Sequence, residues 1–196
     1  GIRRIPDLQS YVHFASAYKA ALLDGQLFPA WADDNLGFGS VGVRFYPPAA
    51  PFVTALLQIA TGDWFLAFSI ALAVSMAVGC WGIYLFVREW AGPGYGILAA
   101  VLYGLAPFHL AEIFRFFLYA EFIAGATVPF CFLYLGRVAR RGTWKDTFPL
   151  AISFSLLVLS HLPLTVLVAI TSMVFAAMVL DWTNWRRRIP QLLCSA

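Results

Sequence analysis

The chain has 196 residues and is 61% hydrophobic and 12% charged, where an average soluble domain carries roughly 25% charged residues. A mean hydropathy of +0.78 excludes an ordinary soluble domain and points to an all-α, polytopic membrane bundle. The net charge of +3 comes with no basic stripe and no nucleic-acid motif, so nucleic acid is not an expected partner.

Pro6-Asp7 is a helix-start signal, because an Asp side chain accepts hydrogen bonds from the first free N–H groups. Leu8, Tyr11, Val12, Ala15, Tyr18 and Leu22 then recur at helical spacing as far as Asp24-Gly25. This predicts an amphipathic helix too polar to span, lying on the membrane surface with its apolar side down. On a helical wheel Asp7 sits at the edge of that apolar face and His13 points away from it.

Residues 25–46 are rich in glycine and aromatics, and residues 47–61 form a Pro-started apolar run closed by Gly62-Asp63. Five apolar segments follow, at about 64–87, 94–108, 117–137, 147–160 and 163–180. Residues 181–196 read as a turn and the start of a further span. The chain starts at Gly1 without a Met and ends as it turns apolar again, so a longer parent protein is expected. Cys80, Cys131 and Cys194 show no paired spacing and read as inert thiols.

Charge placement orients the bundle. If residues 47–61 do not cross, one side collects Arg88, then Arg137, Arg140, Arg141 and Lys145, then Arg186, Arg187 and Arg188. By the positive-inside rule that side is cytoplasmic. Residues 1–63 are then extracytoplasmic and form two juxtamembrane helices, on the same side as His109, Glu112, Arg115, Glu121 and His161. Seven of the acids, Asp7, Asp24, Asp33, Asp34, Asp63, Glu112 and Glu121, fall on that side too. Ordinary loop solvation and a carboxylate-lined site both account for this bias. The short runs after Tyr95, Phe148 and Leu164 suggest a cavity recessed beside PFHLAEIFRFFLYAE and the Ser160-His161-Leu162-Pro163 break.

Several short motifs resemble one family. Asp7 at the start of a surface helix, Gly25-x-x-x-Pro29-x-Trp31, Gly37 and Gly39, and Phe45 to Pro48 resemble the first external loop of the GT-C superfamily of membrane glycosyltransferases. Arg115-x-x-x-Tyr119-Ala120-Glu121 and Ser160 to Pro163 are similar to its bacterial, YfhO-like branches. The resemblance implies an inverting transfer of a sugar from a polyprenyl-phosphate donor to an extracytoplasmic glycan or lipid acceptor, in the cytoplasmic membrane. A non-catalytic protein that binds or transports lipid-linked glycans is the alternative.

On that resemblance Asp7 is the catalytic base or metal holder, since a carboxylate within hydrogen-bond reach can take the proton of an attacking hydroxyl. Its plain alternative is an N-cap. Arg115 suits the donor phosphate, which a planar guanidinium binds through two parallel hydrogen bonds; an ion pair with Glu121 or Glu112 is the structural alternative. Glu121, an ionisable group in an apolar helix, and His161, at the turn between two short helices, are second-line site residues. Tyr46 and Trp31 are interface anchors or sugar-stacking surfaces. No cofactor is required by the sequence. A divalent cation held by Asp7 and Glu121 is one option, and Asp33-Asp34 is either a further cation pair or a solvated turn. His13, His109 and His161 do not make a metal-ligand spacing.

Overall fold

The computed structural model describes residues 6–32, 39–180 and 190. Among these the chain is helical, with nine α-helices and a single antiparallel bridge, Ala32 with Ser40, as its only extended pairing. Helix α1 (Pro6–Leu23) ends in a Schellman turn: Gln26 N–H donates to the Ala21 carbonyl at 2.8 Å and Gly25 N–H to that of Leu22 at 3.1 Å. Gly25 adopts φ +77°, which costs a residue without a Cβ nothing. The Ala32–Ser40 bridge then sets Gly39 beneath Trp31. A Cβ on Gly39 would lie 2.1 Å from the Trp31 indole nitrogen, so only glycine fits.

Helix α2 (Ala49–Thr61) has 13 residues, about 20 Å of helix, which is too short to cross a hydrocarbon core of about 30 Å. At its end Gly62 turns the chain and Asp63 caps α3 (Trp64–Ala91), its Oδ1 accepting from Leu66 N–H at 2.8 Å. Helix α4 (Pro93–Gly104) returns along α3 with little separation. Glycines make this approach possible: a Cβ on Gly96 would lie 2.9 Å from the Tyr84 carbonyl oxygen, and one on Gly79 would lie 2.8 Å from the Tyr103 ring.

After Gly104 the helix breaks. A short α5 (Pro107–Ala111) widens into a π-turn over Glu112–Phe116, and Phe117 then takes left-handed angles, φ 55° and ψ 48°. An inverse γ-turn at Leu118 leads into α6 (Tyr119–Gly125). Helix α7 (Val128–Arg141) follows with Pro129 in its first turn, then α8 (Trp144–Ser160) and α9 (Leu162–Val179).

Among the described residues four helical stretches are long and apolar enough to cross a membrane: Trp64–Ala91, Pro93–Phe116, Tyr119–Arg141 and Leu162–Val179. Helix α8, the other segment expected to span, has 17 residues. The most apolar window of the third stretch is 56% buried, whereas that of the second is 6% buried. The third is therefore the central helix and the second a flank. It packs on α3, α8 and α9, while α4 rests on α3. Val101, Leu102, Val166, Ile170, Met173 and Met178 are all more than half exposed, a belt that no aqueous surface would tolerate. The protein is an all-α polytopic membrane bundle.

Helices α1 and α2 cover the end of the bundle where α3 and α6 begin. The apolar stripe of α1 was expected to lie on lipid, but it is spent on protein. Leu8, Tyr11 and Val12 pack against Ala50, Phe68, Ala71, Tyr119 and Ala120, and Tyr18 against Ala55 and Val43. The cause is a cluster of rings at that end. The Tyr119 ring lies 4.8 Å from Phe68 and 5.3 Å from Tyr11, and Tyr46 stacks on Phe14 at 4.6 Å. Burial raises the Tyr18 phenol above its ordinary pKa, which keeps it neutral under α2.

One buried hydrogen bond ties α2 to α6. The Thr54 hydroxyl donates to the Ala50 carbonyl at 2.8 Å, so the short contact between Thr54 and Tyr119 must be donated by the Tyr119 hydroxyl. The two truncations are therefore unequal. Thr54→Val strands a buried Tyr hydroxyl and should cost about 1–3 kcal/mol, whereas Tyr119→Phe leaves Thr54 bonded to Ala50 and should cost about 1 kcal/mol or less. Denaturant titration in detergent micelles compares them, and equal losses would contradict the assigned donor.

Candidate functional site

Among the described residues no hydrogen bond or ion pair joins Arg115, Glu121 and His161 to one another. Asp7 falls in the first turn of α1, and its side chain lies outside the described residues. Asp33, Asp34 and residues 181–189 and 191–196 lie outside them too. Arg115 is exposed on the π-turn, with its guanidinium 5.2 Å from the centroid of the Phe116 ring. Phe114 and Phe116 beside it are 78% and 50% exposed. Among the described residues Arg115 makes no ion pair, so neither structural pairing expected for it is present.

Glu121 is half-buried in the first turn of α6, where the helix N-terminus favours a negative charge. His161 caps α9: its Nδ1 accepts from Leu164 N–H at 3.2 Å, which fixes the ring proton on Nε2. That contact gives His161 a helix-capping role. Tyr46 is half-buried between Phe14 and Tyr11, with one face of its ring already stacked. Among the described residues no group of three or more His, Cys, Asp or Glu side chains could hold a metal ion.

A cavity of about 340 Å³ lies between the polar side of α1 and the loop after it, lined by His13, Ser16, Asp24, Gln26, Pro29 and Trp31. It is not at either helix break, where a recess was expected.

The least expected feature is a buried acid. Glu112 is 3% exposed, and its Oε2 lies 2.9 Å from Nδ1 of His109, itself 12% exposed. The His109 ring is walled by Tyr103 at 4.4 Å and Phe122 at 5.8 Å. Tyr103 is fixed in turn, its hydroxyl donating to the Gly125 carbonyl at 3.2 Å. The sequence carries a signal for this pair, since His and Glu three apart share a helix face inside an apolar segment. The reading of residues favoured Arg115 and Glu121 over it because burial is not visible in spacing.

Residues 43–195 match the family model of the 6-pyruvoyl-tetrahydropterin synthase related domain, described as a membrane protein. The chain belongs to that family. No curated protein and no solved structure matches it. Membership in the 6-pyruvoyl-tetrahydropterin synthase related family overturns the resemblance to GT-C enzymes and YfhO-like proteins. The family match begins at residue 43, after Asp7, Gly25, Pro29, Trp31, Gly37 and Gly39, which carried half of the motifs of that resemblance. The physical reason is that those motifs are mostly turn glycines, prolines and interface aromatics. A loop at a membrane surface needs such residues whatever its chemistry; here Gly25 ends a helix and Gly39 makes room for Trp31.

Proposed function

We propose that the α1/α2 end of this membrane protein binds a lipid-linked phosphate, of the polyprenyl-phosphate-sugar class, through Arg115. The observation that carries this reading is Arg115 itself: an exposed guanidinium without an ion pair among the described residues, flanked by exposed Phe114 and Phe116. A cation beside bare aromatic surface suits a phosphate attached to a hydrocarbon chain, because the charge and the apolar tail find partners side by side. By the positive-inside rule Arg88, Arg137, Arg140, Arg141 and Lys145 mark the cytoplasmic end, so this site is extracytoplasmic, in the cytoplasmic membrane.

Transfer of the sugar to a glycan or lipid acceptor is the finer form of the proposal. With the family resemblance withdrawn it rests on residue chemistry alone, with Asp7 and Glu121 as the acids at that end. Binding or transport without catalysis is the alternative.

The test uses the full chain in lipid nanodiscs and measures binding of polyprenyl phosphate by native mass spectrometry. Losing a charge-assisted phosphate contact is worth about 1.5–3 kcal/mol, so Arg115→Ala should weaken binding by about tenfold or more. Binding unchanged in Arg115→Ala would overturn the assignment. Glycan products formed at the wild-type rate by Asp7→Ala would remove Asp7 from the transfer reading.

A further inference from the structure

The geometry points to His109 as a general base held by Glu112, with Nε2 as the nitrogen that takes a proton from a substrate hydroxyl. Three local departures from regular structure coincide here. The helix widens into a π-turn at Glu112–Phe116, a distortion common at functional sites. Phe117 holds left-handed backbone angles, which cost a bulky residue energy and persist only where the surroundings enforce them. A carboxyl group 3% exposed sits inside a stretch apolar enough to span a membrane. Apolar side chains would fill the same space without the desolvation cost of an acid.

The chemistry follows from the hydrogen bond. With Glu112 as a carboxylate, which can only accept, the 2.9 Å contact places the proton of neutral His109 on Nδ1 and leaves the lone pair on Nε2. The carboxylate then also stabilises the imidazolium formed when Nε2 is protonated, as in other carboxylate-oriented histidine bases. Tyr103 and Phe122 hold the ring in place between them. Arg115 lies three residues beyond Glu112 in the same distorted segment.

This inference rests on the lipid-phosphate reading for its substrate. The hydroxyl proton moves to Nε2, and its oxygen forms the new bond to the carbon that carries the phosphate. The old carbon–oxygen bond breaks with its electron pair leaving on the phosphate, whose charge Arg115 offsets.

The test is made on the full chain in nanodiscs, with no need for a known turnover. Nitrogen NMR of labelled histidine should find neutral His109 protonated on Nδ1, the opposite of the usual preference. Glu112→Leu removes the acceptor altogether, so neutral His109 should revert to the usual Nε2-protonated form. Diethyl pyrocarbonate should modify wild-type His109, modification should slow in Glu112→Leu, and bound polyprenyl phosphate should protect the wild-type ring. An Nε2-protonated wild type, or a His109 that the reagent never reaches, would overturn the inference. So would polyprenyl phosphate that binds through Arg115 and leaves His109 unprotected. If the lipid does not bind while the Nδ1–H form and the reactivity are as expected, the lipid-phosphate reading fails and the oriented base stands.

Discussion

Gly96→Leu should separate α4 from α3 and lower stability by about 3 kcal/mol or more, the upper range for forcing extra atoms into a packed contact. The obstacle is backbone rather than a side chain that can swing away: even a Cβ at Gly96 would lie 2.9 Å from the Tyr84 carbonyl oxygen and 2.9 Å from the Tyr84 ring. Among the described residues helix α4 has α3 as its main neighbour, so little else holds it once the two are pushed apart. Higher up the same contact, a Cβ on Gly104 would lie 3.1 Å from Sγ of the free Cys80. Gly104→Cys should therefore form a disulfide with Cys80 under mild oxidation, visible in the mass of the linked peptides. Adding Gly96→Leu should abolish that cross-link and lower the thermal midpoint in detergent. A cross-link that forms equally well in both backgrounds would show that the glycine contact does not set the distance between the helices.

Glu89→Ala should destabilise the opposite end of the bundle by about 3 kcal/mol, because it leaves several guanidinium groups facing one another. Arg137 donates its Nε–H to Glu89 Oε1 at 2.6 Å and makes a second contact to the same oxygen through its terminal nitrogen. Arg140 reaches Oε2 at 3.4 Å and Arg141 at 3.9 Å. The Glu89 side chain is 15% exposed and that of Arg137 23%, so water screens this group weakly. Asp146, 4.0 Å from Arg137, offsets part of the loss, and Trp90 holds Arg140 over its ring at 4.1 Å. Glu89→Gln should lose less, because it keeps an acceptor. Thermal unfolding at low and high salt separates the effects. Salt should recover part of the stability of Glu89→Ala by screening the arginines, whereas a loss due to packing would be salt-independent.

The two ends of the bundle differ in how far they can be read from residues alone. The arginines announce themselves as a cluster near the end of α7, but their carboxylate partner is 48 residues away on α3. Residue order places Glu89 at the same end as the arginines without pairing it. At the other end the stripe Leu8, Tyr11, Val12, Ala15 and Tyr18 identifies an amphipathic helix, and lipid and protein are equally good covers for such a stripe. Whether aromatic rings from α3 and α6 arrive to cover it is a matter of tertiary packing. Glu112 shows the same limit more sharply. Its place in an apolar segment marks it as costly and its spacing offers His109 as a partner, but its burial depends on packing, and the break from Leu105 to Leu118 has no proline beyond Pro107 to announce its length. The Asp7 and Trp31 motifs erred in the other direction, because turn and interface residues recur wherever a loop meets a membrane.

By itself the sequence determined what depends on neighbours along the chain. That covers the all-helical membrane class, set by long apolar runs whose backbone groups must be satisfied within each segment. It also covers the helix stops at Gly25 and at Gly62-Asp63, where the left-handed turn and the cap are properties of a few adjacent residues. Only the tertiary structure decided what depends on groups far apart in the chain: which face of α1 meets protein, which acid neutralises the arginines, and which rings from α4 and α6 wall in His109 beside Glu112. Desolvation and ion pairing act through space, and their strength is set by the dielectric and the distance that packing creates.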